Sequence, residues 1–253
     1  MKDNSWFKLS PSTRMRSLKV GILLMLFVLI AQPVLAASLG PRAIPPKSKP
    51  YGKTYGEWSA AWWRYVVSYP LDINPLNDPT GANCGMGQSG PVFFLVGTTG
   101  GAAVRDECVV PVGKAVLFPL VNFFGGVPED GATPQDARDL ISMVTNYIDE
   151  LFVTVDGVPL SNLWEYRFAS PDFSYTGAVD NPFDQACGTP GTCYEGYHDT
   201  GISDGYWIML PPLPKGVHTI SFGGHFYYPD WGWEFEVDVT YNLTVADRSA
   251  ADR

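Results

Sequence analysis

The chain has few basic residues. It contains 17 lysines and arginines against 26 aspartates and glutamates, and its formal net charge at pH 7 is −9. Nucleic acids and anionic membrane surfaces are polyanions, which attract proteins with basic surfaces. The excess of acidic side chains therefore excludes non-specific binding to nucleic acid or to an anionic membrane.

Long apolar runs are equally scarce, and the one that stands out is Val20–Ile30. A basic stretch that begins at Lys2 precedes it, and Val34-Leu35-Ala36 fits the small-x-small pattern at which signal peptides are cut. We therefore predict a secretory signal peptide at residues 1–36, with an uncleaved N-terminal anchor as the alternative. The mature chain would be periplasmic or extracellular, and no later segment is apolar for long enough to form a membrane helix.

The mature chain would contain 217 residues. Cleavage would remove five basic residues and one aspartate, which leaves 12 basic against 25 acidic residues and a net charge of −13. Residues 37–53 are rich in proline and lysine and are predicted to form an extended linker. Residues 54–245 suit one β-rich domain, with a split near residues 130–150 as the alternative, and residues 246–253 are predicted to be a disordered tail.

Only four cysteines are present, Cys84, Cys108, Cys187 and Cys193. An even number in an exported chain favours two disulfides, for which three pairings are possible. We favour Cys84–Cys108 and Cys187–Cys193, because each pair flanks a local glycine-rich loop whose ends can meet. A zinc site made of all four cysteines is the alternative, but the chain has no Cys-x-x-Cys pair.

The composition favours β-structure, with 26 glycines and 22 prolines available for turns. The clearest strand lies near the C-terminus, where apolar residues alternate with polar ones from Trp233 to Val245. This alternation predicts a strand with one face on a core and one in water. We predict a mainly β fold, an antiparallel β-sandwich of jelly-roll or immunoglobulin-like type with two packed α-helices.

Two helices are predicted from their caps and their apolar spacing. The first begins at Thr54, which can form a capping box with Glu57, and it ends at Pro70. The second spans residues 132–149, with Thr133 as its N-cap. Both carry apolar residues at spacings of three and four, so each is expected to pack one face on the sandwich.

Several connections are predicted from turn residues and apolar runs. Residues 91–97 are expected to form a central strand, with residues 104–111 as its neighbour. Asp156-Gly157 predicts a type I′ hairpin turn, and Gly223-Gly224 predicts a second turn. Residues 170–205 are interpreted as a long polar excursion, a kind of segment that often carries function.

Several motifs resemble a group of bacterial exported proteins. They include Tyr55-Gly-Glu-Trp-Ser-Ala-Ala-Trp-Trp63, Gly87-Gln-Ser-Gly-Pro-Val-Phe-Phe-Leu95 and Pro212-Leu-Pro-Lys-Gly-Val-His-Thr-Ile-Ser-Phe-Gly-Gly224. The resemblance covers most of the chain after the predicted signal and implies bacterial export, but it supplies no activity and no catalytic residue. The last motif also resembles the late strands of immunoglobulin-like and carbohydrate-binding sandwiches, which is a likeness of fold alone.

The last predicted strand carries candidate catalytic carboxylates, Glu234, Glu236 and Asp238. They project from one face, and retaining glycosidases use two carboxylates roughly 5–5.5 Å apart. Aromatic residues that can stack on a sugar lie nearby, at Tyr227, Tyr228, Trp231 and Trp233. The simpler interpretation is a solvated outer face, because exposed alternating charge is typical of any strand with one face in water.

The first helix is a further candidate for binding. Trp58, Trp62 and Tyr65 share one face and are expected to be core residues. Trp63 lies roughly 100° from Trp62 around the helix, so we expect it to be exposed or to lie where helix and sheet meet. An aromatic side chain in such a place suits a sugar or a partner protein.

No cofactor is predicted, although calcium is considered for one loop. Asp72, Asn74, Asn77 and Asp78 offer the oxygen ligands that calcium prefers, but they lack the spacing of an EF-hand. Asn and Asp also form turns without a metal, through side-chain to backbone bonds. The three histidines show no spacing that would arrange them as ligands of zinc or copper.

These observations favour a non-catalytic exported protein that binds a carbohydrate or another component of the cell envelope. One alternative is a secreted, glycosidase-like hydrolase that uses the carboxylates of the last strand. The other is an interaction protein that docks a partner through its tryptophan-rich helix. The chain has no Gly-x-Ser-x-Gly motif for a serine nucleophile.

Overall fold

Two α-helices and ten β-strands form in the part of the chain that the computed structural model describes, residues 41–183 and 193–247. The helices are α1 (Tyr55–Val67) and α2 (Pro134–Thr145). The strands are β1 (Val92–Phe94), β2 (Gly101–Arg105), β3 (Val109–Pro111), β4 (Ala115–Gly126), β5 (Ile148–Val155), β6 (Val158–Pro159), β7 (Phe173–Gly177), β8 (Gly196–Leu210), β9 (Gly216–Tyr228) and β10 (Trp233–Ala246). Two short 3-10 helices lie at Pro50–Gly52 and Leu163–Tyr166.

The strands form two packed sheets. The first sheet has the strand order β1-β4-β8-β7, and the second sheet has the order β2-β10-β9-β5-β6 with β3 also paired to β10. In the core, the ring of Phe118 on β4 lies 4.6 Å from that of Phe222 on β9, centroid to centroid. Most neighbouring strands are antiparallel, but β1 is parallel to β4, and β2 and β3 are parallel to β10. The predicted mainly β, sandwich-like fold with two helices is confirmed.

Local sequence signals predict the starts of both helices correctly. The Thr54 hydroxyl accepts a hydrogen bond from the Glu57 N–H, and the Glu57 carboxylate accepts one from the Thr54 N–H. Thr133 and Asp136 make the same exchange at α2. Asp156-Gly157 joins β5 to β6 with positive φ at both residues, as a type I′ hairpin requires.

The predicted pairing of residues 104–111 with residues 91–97 is wrong. β2 and β3 belong to the other sheet, where both run parallel to β10. After β1 the chain crosses from one sheet to the other, and side chains of Trp62 in α1 and Arg105 in β2 bind its backbone at residues 95–97. Side-chain bonds to an irregular stretch of backbone leave no periodic pattern in the sequence.

Residues 170–205 are not one long excursion, since they contain β7 and the first part of β8. The polar residues in the first part of β8 interrupt the apolar pattern by which a buried strand is predicted. Ser203 and Asp204 are buried there, and both have partners: the Ser203 N–H donates to the Ser170 hydroxyl, and the Asp204 carboxylate pairs with Arg167 at 2.8 Å. Buried polar groups are tolerated when they are satisfied in this way.

The predicted turn at Gly223-Gly224 is also wrong, because β9 continues through both residues. A Cβ atom at Gly223 would lie 1.7 Å from the Val237 carbonyl oxygen, and one at Gly224 would lie 2.1 Å from the Glu150 carbonyl oxygen. Glycine therefore serves here to let neighbouring strands approach closely, a second common use of glycine in strands.

The predicted linker is attached to the sandwich over its described part. The Ile44 N–H donates to the Met209 carbonyl oxygen at 2.7 Å, and the Tyr55 hydroxyl donates to the Ile44 carbonyl oxygen at 2.6 Å. The Trp58 indole donates to the Pro50 carbonyl oxygen at 2.9 Å. The described part of the linker, residues 41–53, therefore packs against α1 and β8.

The predicted disulfide between Cys84 and Cys108 is confirmed, with 5.6 Å between the two Cα atoms. The second predicted pair includes Cys187, which lies outside the described residues. The predicted signal peptide and most of the predicted tail lie outside them as well.

Candidate functional site

A cavity of about 380 Å³ lies among α1, β4 and β10. Its walls are largely apolar, and no described residue that lines it is charged. The aromatic part of the lining includes Trp62, Trp63, Phe123, Phe124, Trp233 and Phe235. Because ligand sites commonly combine apolar and aromatic walls with a few polar groups, this cavity is the candidate functional site.

The cavity forms because β1 is much shorter than β4. β1 pairs with β4 only at Val92–Phe94, opposite Ala115–Leu117. The chain then leaves the edge of β4 and crosses to the other sheet, so the rest of that edge has no paired strand among the described residues. The indole N–H of Trp62 donates to the Leu95 carbonyl oxygen at 2.9 Å and holds the start of the crossing.

A buried arginine holds the rest of the crossing. Arg105 is 1% exposed, and its guanidinium donates to the carbonyl oxygens of Val96 and Gly97 at 2.6 and 2.9 Å. It also donates to the Tyr241 hydroxyl and to the carbonyl oxygens of residues 76 and 78. Sequence reasoning misses this network, because a single arginine among small residues carries no local sign of burial.

Helix α1 supplies one wall of the cavity. Its three tryptophans are all buried, so they offer no exposed surface to a partner protein. Trp63 stacks on Phe124 of β4, with ring centroids 4.7 Å apart and planes inclined by 20°. Trp63 is therefore not exposed but lies where the helix meets the first sheet, which is the second of its two predicted positions.

Two buried polar atoms in the cavity wall have no hydrogen-bond partner among the described residues. They are the indole Nε1 of Trp63 and the side-chain Oδ1 of Asn122. Both residues line the cavity. An unpaired buried polar group costs about 1–3 kcal/mol, so such groups are usually satisfied. A ligand with one hydrogen-bond acceptor and one donor would satisfy both atoms.

The aromatic residues and the carboxylates of β10 lie on opposite faces of the strand. Trp233 and Phe235 line the cavity. Glu234, Glu236 and Asp238 alternate with them and are exposed on the outer face of the second sheet. The carboxylates proposed for catalysis and the aromatic residues proposed to stack on a sugar do not share one cleft.

The other aromatic residues predicted to bind ligand lie outside the cavity. Tyr227 is exposed, opposite Glu234 in the β9–β10 pair. Trp231 is 63% exposed in the turn between these strands, and its ring centroid lies 4.8 Å from that of the buried Tyr228. Of the predicted aromatic ligands, the structure thus brings only Trp63 and Trp233 to the cavity.

A cluster of tyrosines and carboxylates lies behind the cavity wall. Tyr194 lines the cavity, and its hydroxyl donates to the Asp130 carboxylate at 2.6 Å. Burial raises the pKa of Tyr194 far above its ordinary value, and the charge of Asp130 raises it further. Burial, and then the charge of Glu129, likewise raises the pKa of Tyr175. Both tyrosines therefore stay neutral, and the wall keeps its uncharged character.

Two histidines of β9, His218 and His225, are held by carboxylates. His225 lies between Asp149 and Glu234, with N–O distances of 2.6 and 3.0 Å, and these hydrogen bonds raise its pKa. Burial alone would lower the pKa of His218, but its hydrogen bonds to the Asp156 carboxylate and the Pro214 carbonyl oxygen outweigh burial and raise it. Both histidines join β9 to neighbouring strands and turns, and neither lines the cavity.

The loop considered for calcium is held by its own hydrogen bonds. The buried amide of Asn74 donates to the carbonyl oxygens of Val66 and Tyr69, both at 2.8 Å. Burial alone would raise the pKa of Asp78, but backbone N–H groups of residues 80, 81 and 83 bind its carboxylate and lower it. Within the described ranges, no group of three His, Cys, Asp or Glu side chains is placed to hold a metal ion.

The comparisons with known proteins do not identify a function for this chain. No family model matches the chain, and neither a curated protein nor a solved structure matches it. Across residues 41–183 and 193–247, neither helix has the length and apolar character needed to cross a membrane. The motif resemblance to bacterial exported proteins stays a prediction.

Proposed function

We propose that this chain is an exported, non-catalytic binding protein whose cavity holds an uncharged, ring-bearing part of a cell-envelope molecule. The observation that carries the proposal is the aromatic cavity of about 380 Å³, in which no described lining residue is charged and two buried polar atoms find no hydrogen-bond partner within the described ranges. The Cys84–Cys108 disulfide supports export, because disulfides persist in oxidising compartments. The position of the β10 carboxylates on the outer face favours binding over hydrolysis.

The chemistry of the walls favours an apolar ring over a sugar ring in this cavity. A buried sugar would bring several hydroxyl groups, and each would need a hydrogen-bond partner. Among the described lining residues, few side chains can supply one: Thr98, Thr99, Asn122, Tyr194 and the indole of Trp63. An apolar ring between such aromatic walls gains from burial and from ring contacts, and a polar substituent with one donor and one acceptor would satisfy the side-chain atoms of Trp63 and Asn122.

Binding of the neutral fluorescent probe N-phenyl-1-naphthylamine tests the proposal. Thr99 is exposed where it lines the cavity, so Thr99→Trp should block the cavity without disturbing the core. Thr244→Trp adds the same side chain to the exposed outer face of β10 and is the matched control. We expect the wild type and Thr244→Trp to bind the probe equally, and Thr99→Trp to bind it about tenfold more weakly or worse.

The controls separate blocked binding from loss of fold. Each variant is first checked for cooperative unfolding in urea, because apolar probes also bind loosened cores. Equal binding by all three folded proteins, or no binding by the wild type, would contradict the proposal.

A second candidate function is carbohydrate binding on the exposed indole of Trp231. Trp231 is 63% exposed, and its ring packs on that of Tyr228 at an interplanar angle of 68°. A sugar stacked there would keep its hydroxyl groups solvated and so needs few polar partners. A glycan array with the wild type beside Trp231→Ala tests this candidate. Retention lost in Trp231→Ala supports it, and no retained glycan excludes it.

A further inference from the structure

The open edge of β4 belongs to the cavity wall. Beyond its short pairing with β1, β4 has β8 on one side and no described strand on the other. A register shift lies between Pro119 and Asn122, after which Asn122 is opposite Gly205 and Phe124 is opposite Ser203. Asn122 and Phe124 both line the cavity.

The backbone groups of Asn122 and Phe124 point away from β8. The Val127 N–H donates to the Thr200 carbonyl oxygen of β8, and alternate residues of an antiparallel strand point to the same side. Residues 123 and 125 therefore face β8, whereas residues 122, 124 and 126 face the opposite side. Gly126 bears this out, because its N–H donates to the Asp130 carboxylate and its carbonyl oxygen accepts from the Asp130 N–H.

The partner residues in β8 lead to the same result. The carbonyl oxygen of Gly205 accepts from the Phe168 N–H, and that of Ser203 accepts from the Ser170 N–H. Both therefore direct their backbone groups away from β4. The N–H and C=O groups of Asn122 and Phe124 consequently make no ladder bond to β8.

The edge of β4 is closed at both ends and, among the described residues, unpaired between them. The Leu95 N–H closes one end on the Leu117 carbonyl oxygen, and Asp130 closes the other at Gly126. Between these points, no described group outside the strands hydrogen-bonds the backbone of residues 122 or 124. An open strand edge of this kind is a template for pairing with another chain.

We infer that the ligand of this cavity is an extended peptide that adds a strand to β4 at Asn122 and Phe124. This inference rests on the proposed function, because it assigns the ligand class of the same cavity. A stretch of about three extended residues supplies the N–H and C=O groups that both positions need. The side chain that enters the cavity is apolar or aromatic, since no described residue of the walls is charged.

Amide hydrogen exchange, followed residue by residue by NMR, tests the inference. The ligands are tripeptides with acetyl and amide ends, drawn from a library that varies all three positions. The best peptide should displace N-phenyl-1-naphthylamine and slow exchange at the amides of Asn122 and Phe124 about tenfold or more. Amides of β2, an edge strand of the other sheet, should not change. N-methylation of the peptide's pairing amide should weaken binding about tenfold, because it removes one hydrogen-bond donor.

The outcomes distinguish this inference from the proposed function. If the naphthylamine binds but no peptide displaces it, or a peptide displaces it without protecting the two amides, the inference fails and the proposed function stands. If neither ligand binds, both fail. Amides that already exchange slowly in the free monomer would show that the chain closes its own edge. Protection that accompanies self-association would make a second copy the occupant, and either result would overturn the peptide assignment.

Discussion

The guanidinium Nη1 of Arg105 lies 2.5 Å from the hydroxyl oxygen of Tyr241, and the two side chains share the Val96 carbonyl oxygen as an acceptor. Tyr241 is fully buried, as is Arg105, and no carboxylate bonds to the guanidinium among the described residues. This pair holds the chain where it leaves β4 for the other sheet. The cavity therefore depends on an interaction between β2 and β10, far apart in sequence.

The first prediction concerns the stability of this pair. Arg105→Met should lower the free energy of unfolding by about 3–5 kcal/mol, because several buried carbonyl groups lose their donor. Tyr241→Phe should lower it by about 1–2 kcal/mol. In a double-mutant cycle measured by urea unfolding, the two changes should be coupled by about 1–3 kcal/mol, because they share one network.

Lys215→Met is the matched control for loss of a cation. Lys215 pairs with Asp247 at the surface, where both side chains are mostly exposed. Its replacement should change the free energy of unfolding by less than about 1 kcal/mol. If Arg105→Met does not fold, Tyr241→Phe alone still tests the account, and an unchanged stability of that variant would contradict it.

The second prediction concerns the glycine pair inside β9. Gly223→Ala should lower the free energy of unfolding by about 3 kcal/mol or more, since the added Cβ would lie 1.7 Å from the Val237 carbonyl oxygen. Gly85→Ala is the control, because no atom lies within 4 Å of its Cβ position and it should change stability by about 0.5 kcal/mol at most. Equal effects in urea unfolding would show that β9 does not need glycine for close approach.

The third prediction concerns pH. The pKa of His218 is raised in the folded protein, so its bonds to Asp156 and Pro214 stabilise the fold fully below the ordinary histidine pKa of 6.5. This contribution is lost as the pH rises through the raised pKa. The free energy of unfolding should therefore fall over this interval, and His218→Gln should flatten the fall. His225 acts in the same direction, so some slope should remain until it too is replaced.

Urea unfolding at a series of pH values and constant ionic strength measures this effect. An imidazole titration by NMR gives the two histidine pKa values directly. A slope that His218→Gln leaves unchanged, or a His218 pKa below the ordinary value, would refute the assignment.

Sequence patterns predict those parts of the fold that depend on neighbouring residues. The capping box of Thr54 and Glu57 and the alternation of β10 involve residues within one element, and both are found. Sheet partners depend on distant contacts. The small residues before Arg105 allow a strand but do not tell which sheet it joins, and Gly223-Gly224 reads equally as a turn or as a close strand approach.

The candidate site was predictable only in part for the same reason. Helical spacing places Trp63 off the main apolar face of α1, but the sequence does not tell that Phe124 covers it. Alternation places Trp233 on the face of β10 opposite the carboxylates. It does not predict that β1 pairs with β4 over only three residues, because the length of that pairing depends on contacts of the whole sheet. Asn122 carries no signal at all, because its role follows from the register shift in β4.

The central claim is that the cavity beside Trp63 binds a ligand, and the indole N–H resonance of Trp63 reports on it most directly. In the free protein this N–H has no acceptor among the described residues, whereas the Trp58 N–H is already bonded to the Pro50 carbonyl oxygen at 2.9 Å. During titration with N-phenyl-1-naphthylamine, followed by ¹H–¹⁵N NMR, the Trp63 resonance should shift and saturate while those of Trp58 and Trp231 stay in place. A Trp63 resonance that does not move at saturating probe, or a shift confined to Trp231, would contradict the account.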